Sequence, residues 1–183
     1  SAVAERAGAT VLRHAQNQGK GAALQTGFQY ARLHGYTAVL TLDADGQHRA
    51  AELPGLLAAH RRDPQALVLG VRSFAADKMP GRSRFGNKFS TWWISLFARH
   101  RFSDTQTGFR IYPMAMLEGL PLSTSRFDTE TELLLWAAHR GVAIIEQPIA
   151  TIYEADHVSH FHGFADSMRV IRLVVTSPYW LRR

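Results

Sequence analysis

Tyr36-Thr-Ala-Val-Leu-Thr-Leu-Asp-Ala-Asp-Gly-Gln-His48 decides the fold. Residues 36–42 are apolar or β-branched apart from the threonine hydroxyls, as a buried parallel strand requires. The run then breaks into two carboxylates, Asp43 and Asp45, followed by Gly46. Open α/β sheets place their sites at the carboxyl ends of strands. Two carboxylates one residue apart at such an end can reach one hard cation. Mg²⁺ and Mn²⁺ prefer oxygen ligands and keep substrate phosphates in their shell. Gln47 offers a further oxygen and His48 a nitrogen. An Asp-rich turn with capping roles would carry the same letters, so the motif alone leaves both readings open.

Working outward, apolar patterns of helix and strand alternate. Helices are expected over 21–33, 52–62, 87–99, 129–140 and 166–175, from apolar positions recurring on one face and from Asp63-Pro64 and Gly141 as stops. Strands are expected over 9–13, 66–71 and 142–152, the last interrupted by Pro148. Residues 73–85 read as a polar, basic loop. Strands separated by helices predict an α/β domain with a mostly parallel sheet flanked by helices. No linker or repeat divides residues 1–183, so a single domain is expected.

Composition narrows the class. The chain has 183 residues, 46% hydrophobic and 20% charged, which suits a folded core rather than disorder. It has no cysteine, so no disulfide framework and no thiolate metal site. A net charge of +6 favours an anionic partner. The basic residues are scattered and not interleaved with aromatics, which argues against nucleic acid. No stretch has the length of a membrane span or the form of a signal peptide.

Further segments carry candidate chemistry. Asn17-Gln18-Gly19-Lys20-Gly21 opens a helix, where glycines admit close approach and a helix N-terminus attracts phosphate. It is not a Walker loop, and an ordinary helix cap explains it as well. Asp104-Thr-Gln-Thr-Gly-Phe-Arg110 brings a carboxylate and a guanidinium near a glycine, or forms a tight turn with Phe109 in the core. Asp128, Glu130 and Glu132 stand at a helix start, where acids suit the dipole. Arg72, Lys78, Arg82, Arg84 and Lys88 form a basic set after a strand end and can grip phosphate or simply face solvent. His157, His160 and His162 lack the spacing of a helical zinc pair.

In this order NQGKGAALQTGF (17–28), LDADGQH (42–48), GVRSF (70–74), SRFGNKF (83–89), DTQTGFR (104–110), RFDTETELL (126–134) and EQPIATIY…SHF (146–161) resemble the family 2 glycosyltransferases. Within them the likeness is to the polyprenyl-phosphate sugar synthases of the dolichyl-phosphate mannose type. The resemblance implies a nucleotide-diphospho-sugar (GT-A-like) fold. It implies that Asp43, Asp45 and Gln47 hold Mg²⁺ or Mn²⁺ and through it the donor diphosphate, with Lys20 among the donor-binding groups. It places Arg72, Arg84 and Lys88 on the acceptor phosphate and Asp104 near the donor sugar. Glu130 and Glu132 fall on the acceptor side, and Ser159 and His160 in a segment that closes over phosphates. The implied reaction is an inverting hexosyl transfer from a UDP- or GDP-sugar to a lipid phosphate, in the cytoplasm at the inner membrane face. The resemblance also implies earlier strands that this chain lacks. The competing reading is therefore a donor-incompetent binding or scaffold module of the same fold. The helix toward the C-terminus, 168–183, mixes apolar and arginine residues in a way that suits a membrane interface or ordinary packing equally well.

Overall fold

Residues 67–72 (LVLGVR) form a strand whose side chains alternate between two cores, the period-2 consequence of a pleated backbone. Leu67, Leu69 and Val71 enter one cluster, and Val68 enters the other. The computed structural model describes residues 2–72, 81–150 and 163–181, with the side chains of 81–85 and 163–167 excepted.

Among the described residues four strands make one sheet: β1 (Ala38–Thr41), β2 (Leu67–Arg72), β3 (Arg110–Pro113) and β4 (Ile144–Ile149), in the order β1-β3-β2-β4. β2 and β4 are parallel, while β3 is antiparallel to both β1 and β2. Strands β1, β2 and β4 thus run the same way and β3 alone is reversed, which makes the sheet mixed. The sequence carries no sign of β3, because Arg-Ile-Tyr-Pro is too short for a period and ends in proline. It is held by register, with Val39 opposite Tyr112 and Val68 opposite Ile111. Pro148 is accommodated because β4 lies at the sheet edge, where a missing N–H needs no partner. β1 is half-buried and at the other edge, not fully covered as its composition suggests.

The helices are α1 (Ala2–Arg6), α2 (Lys20–Leu33), α3 (Leu53–Arg62), α4 (Gly81–Ala98), α5 (Met114–Leu117), α6 (Asp128–His139) and α7 (Gly163–Trp180). α3 covers one face through Leu56 and Ala59, against Val68, Phe109, Ile111 and Ile149. The other face packs Phe28, Ile94, Leu133 and Val174 from α2, α4, α6 and α7. Every residue from Thr129 to Ala137 is buried, so α6 is the central helix of that layer. Two expectations fail. Residues 9–13 form no strand, having no ladder partner among the described residues. The basic segment 73–85 is not all loop, since α4 already starts at Gly81.

Candidate functional site

Three separate segments meet at the carboxyl end of β1. α2 comes close to α6 because position 21 has no side chain. A Cβ there would overlap the Thr129 hydroxyl and the Ser125 backbone. The approach is fastened by the Ala22 N–H donating to the Ser125 carbonyl at 2.9 Å and by Gln25 Nε2 donating to the Thr124 carbonyl at 2.8 Å. Lys20, the first residue of α2, then reaches two acids at once. Its Nζ lies 2.6 Å from Asp43 Oδ1 and 2.7 Å from Glu130 Oε2. Gly108 backs the same carboxylate, since a Cβ at that position would collide with Asp43.

This arrangement fixes charge. Burial works to raise the Asp43 carboxyl, but neighbouring His48 and the Lys20 ammonium outweigh it and hold Asp43 well below the usual carboxylate range. His48 Nε2 stands 3.7 Å from Asp43 Oδ2, with its ring tilted against Phe109. Burial works against the Lys20 charge, yet Glu130 and Asp43 together push its pKa up. Asp43 and Lys20 are therefore both ionised at neutral pH. Asp45 is exposed on the turn, where its Oδ1 accepts the Gln47 backbone N–H at 3.0 Å.

Beside this cluster Arg72, at the end of β2, donates to Asp104 from Nε at 2.6 Å and from Nη2 at 2.9 Å. Asp104 also accepts the Gln106 backbone N–H at 3.0 Å. Burial raises the Asp104 carboxyl, and the Arg72 guanidinium more than reverses the shift. Beneath lies Arg110, only 1% exposed. It donates to the carbonyls of Thr107, Thr105 and Glu130 and to the Tyr112 hydroxyl. One buried guanidinium thus ties the 104–110 loop to the first turn of α6.

The model of Glycosyl transferase family 2 matches residues 1–118. The chain belongs to this family. It is 31% identical over 147 residues to UDP-N-acetylglucosamine--dolichyl-phosphate N-acetylglucosaminyltransferase of Methanococcus voltae, covering 78% of this chain and 59% of the relative. It is 29% identical over 149 residues to undecaprenyl-phosphate mannosyltransferase of Micrococcus luteus, covering 78% of this chain and 60% of that one. The chain thus spans about 60% of the length of these relatives. Its fold is that of glucosyl-3-phosphoglycerate synthase from Mycobacterium tuberculosis, solved with Mn²⁺ and UDP-glucose. The TM-score is 0.62 at 16% identity, over 97% of this chain and 62% of the other.

A family 2 site of this kind implies a divalent cation, and the donor groups here fit one. Asp43 and Asp45 offer hard oxygens, and the Lys20 ammonium already occupies a cationic position between Asp43 and Glu130. Glu130 Oε1 is buried with no hydrogen-bond partner among the described residues, leaving an oxygen in reserve. No cluster of three or more His, Cys, Asp or Glu ligands exists among the described residues. Mg²⁺ or Mn²⁺ needs only one or two carboxylates when substrate phosphates complete the shell.

Two of the expected site acids, Asp104 and Glu132, are fully buried. Positions two apart on a helix do not share a face, so Glu130 and Glu132 meet different neighbours. Glu132 is fully buried and accepts the backbone N–H and hydroxyl of both Ser123 and Thr124. It holds the loop that meets α2. Asp104 is likewise 0% exposed and holds the Arg72 guanidinium through two hydrogen bonds. Lys88 is exposed on α4 and lines a shallow depression of about 230 Å³ with Trp92 and Arg101. Lys20, Asp43 and Glu130 do not line that depression. The side chain of Arg84, and Ser159 and His160 entirely, lie outside the described residues. Arg110 was legible only as the last letter of the DTQTGFR motif; nothing in the sequence marks it as buried.

Proposed function

We propose that the chain is the donor- and cation-binding part of an inverting glycosyltransferase that moves a hexose from a nucleoside-diphosphate sugar to a polyprenyl phosphate. The observation that carries this reading is the meeting of Lys20, Asp43 and Glu130, with Asp45 on the same turn, at the carboxyl end of β1. The names of the Methanococcus and Micrococcus relatives and the Mn²⁺ and UDP-glucose of the mycobacterial structure support it. A divalent cation held by Asp43 and Asp45, with Gln47 beside them, would offset charge on the leaving diphosphate. Lys20 adds a point charge at the start of α2, where a helix N-terminus already favours phosphate. Arg72, oriented by Asp104, and Lys88 are the described cations for an acceptor phosphate, which is ionised and needs little base catalysis. For a hydroxyl acceptor, Glu130 is the base candidate, through its unpartnered Oε1.

Calorimetric titration with UDP and with GDP, in Mn²⁺ and then in EDTA, tests the donor side. Asp45→Ala is expected to weaken metal-dependent binding at least ~100-fold, more than loss of a supporting partner does. Binding that ignores both EDTA and Asp45→Ala would sink the cation reading. An intact chain that binds neither nucleotide would favour the donor-incompetent module.

The lipid side rests on two helix faces. On α4, Phe89, Trp92 and Leu96 are exposed at i, i+3 and i+7, and Arg99 and Arg101 follow the helix. On the neighbouring α7, Met168, Ile171, Val175 and Tyr179 are exposed beside Arg169 and Arg172. No helix among the described residues is long and apolar enough to cross a membrane. Aromatic faces flanked by arginine suit an anionic membrane surface. The double variant Phe89→Ser/Trp92→Ser is expected to lower co-sedimentation with phosphatidylglycerol vesicles about tenfold. Equal sedimentation of variant and parent would remove α4 from the membrane contact.

A further inference from the structure

We infer that Lys20 is the internal counter-ion of the acidic cluster and sets how tightly this chain takes a divalent cation. This rests on the reading that Asp43 and Asp45 hold the cation. The Lys20 Nζ sits 2.6 Å from Asp43 Oδ1 and 2.7 Å from Glu130 Oε2, so one ammonium serves two carboxylates from different segments. Its position is built in. The backbone at the start of α2 is tied to Ser125, and the absence of a Cβ at residue 21 seats α2 against α6. The start of α2 therefore holds the Lys20 Cα within reach of both acids.

A dication bound to Asp43 would stand beside this ammonium. Like charges held about 4–5 Å apart weaken binding about tenfold even at the dielectric constant of water. Two arrangements follow. In one, the ammonium neutralises Asp43 and Glu130 and the pair is stable without metal. In the other, the cation takes Asp43 and Lys20 is left with Glu130. Glu130 makes the second arrangement accessible, because its Oε2 already bonds Lys20 and keeps it partnered. A nucleoside diphosphate arriving with the cation brings negative charge for the displaced ammonium. Cation and nucleotide must then assist each other, by the same factor in both directions.

The test is Mn²⁺ titration, with free Mn²⁺ read by electron paramagnetic resonance, of the parent chain, Lys20→Met, Lys20→Gln and Lys20→Arg, without nucleotide and then with saturating UDP or GDP. Without nucleotide, Lys20→Met and Lys20→Gln are expected to bind Mn²⁺ about tenfold more tightly than the parent, and Lys20→Arg to stay near it. The gain in Mn²⁺ affinity that nucleotide gives the parent should shrink by a similar factor in the neutral variants. Thermal unfolding gives a second readout. Lys20→Gln, which keeps a hydrogen-bond donor, should melt lower than the parent in EDTA and recover more on adding Mn²⁺. Unchanged or weaker Mn²⁺ binding by both neutral variants, with parent binding still abolished by Asp45→Ala, would overturn the counter-ion role and leave the cation site standing. Absence of any Mn²⁺ binding sensitive to Asp45→Ala, in every variant, would overturn both.

Discussion

Arg110→Met is expected to destabilise the fold by about 3 kcal/mol or more, since several buried acceptors lose their donor at ~1–3 kcal/mol each. The guanidinium is fully buried and supplies the Thr105, Thr107 and Glu130 carbonyls and the Tyr112 hydroxyl. Burial opposes its charge, but Tyr112 and Glu130 outweigh that and raise its pKa. Methionine fills much of the volume and offers no donor. Part of the cost is returned because a buried charge disappears, which is why the figure stays below the sum of the separate losses. Lysine should fall between the two, because a point charge cannot reproduce the planar fork. Urea unfolding of the three proteins checks this. A loss below about 1 kcal/mol for methionine would mean that water or a rearranged loop satisfies the acceptors. The variant should also loosen Asp104 and Gly108, the residues that orient Arg72 and back Asp43.

Glu132→Ala is expected to cost about 3 kcal/mol or more as well, by removing a buried acceptor from four donors. The Ser123 and Thr124 N–H groups and hydroxyls would be left unpaired on a loop whose next residue anchors α2. Glu130→Ala should behave differently. Its carboxylate bonds Lys20 through one oxygen only, and its other oxygen has no hydrogen-bond partner among the described residues. The expected stability change there is smaller, about 1–2 kcal/mol, because Lys20 keeps Asp43 as a partner, with the larger effect on ligand binding. Urea midpoints for the two alanine variants separate the roles. Equal losses would contradict the division between a structural Glu132 and a site-facing Glu130.

The contrast between these two acids shows where sequence reading ends. Both stand near the start of one helix, and composition gives no reason to separate them. The roughly 100° turn per residue points them to different neighbours, and which neighbours those are depends on packing far away. Arg110 and β3 failed to announce themselves for a related reason. A four-residue strand has no period to detect, and its terminal proline argues against a strand until the pairing with β1 and β2 is known. Burial of an arginine depends on carbonyls supplied by other segments.

Residues 36–48 alone determined a strand ending in a two-carboxylate turn, and the helix–strand alternation determined an α/β sheet, because both rest on local periodicity and on chain chemistry that neighbours do not alter. The tertiary structure decided the rest. It reversed β3 between β1 and β2, brought Lys20 to both Asp43 and Glu130, and turned Glu132 inward and Asp104 onto Arg72. Those outcomes depend on which distant atoms come within bonding distance, and on the missing side chains at residues 21 and 108 that let them approach.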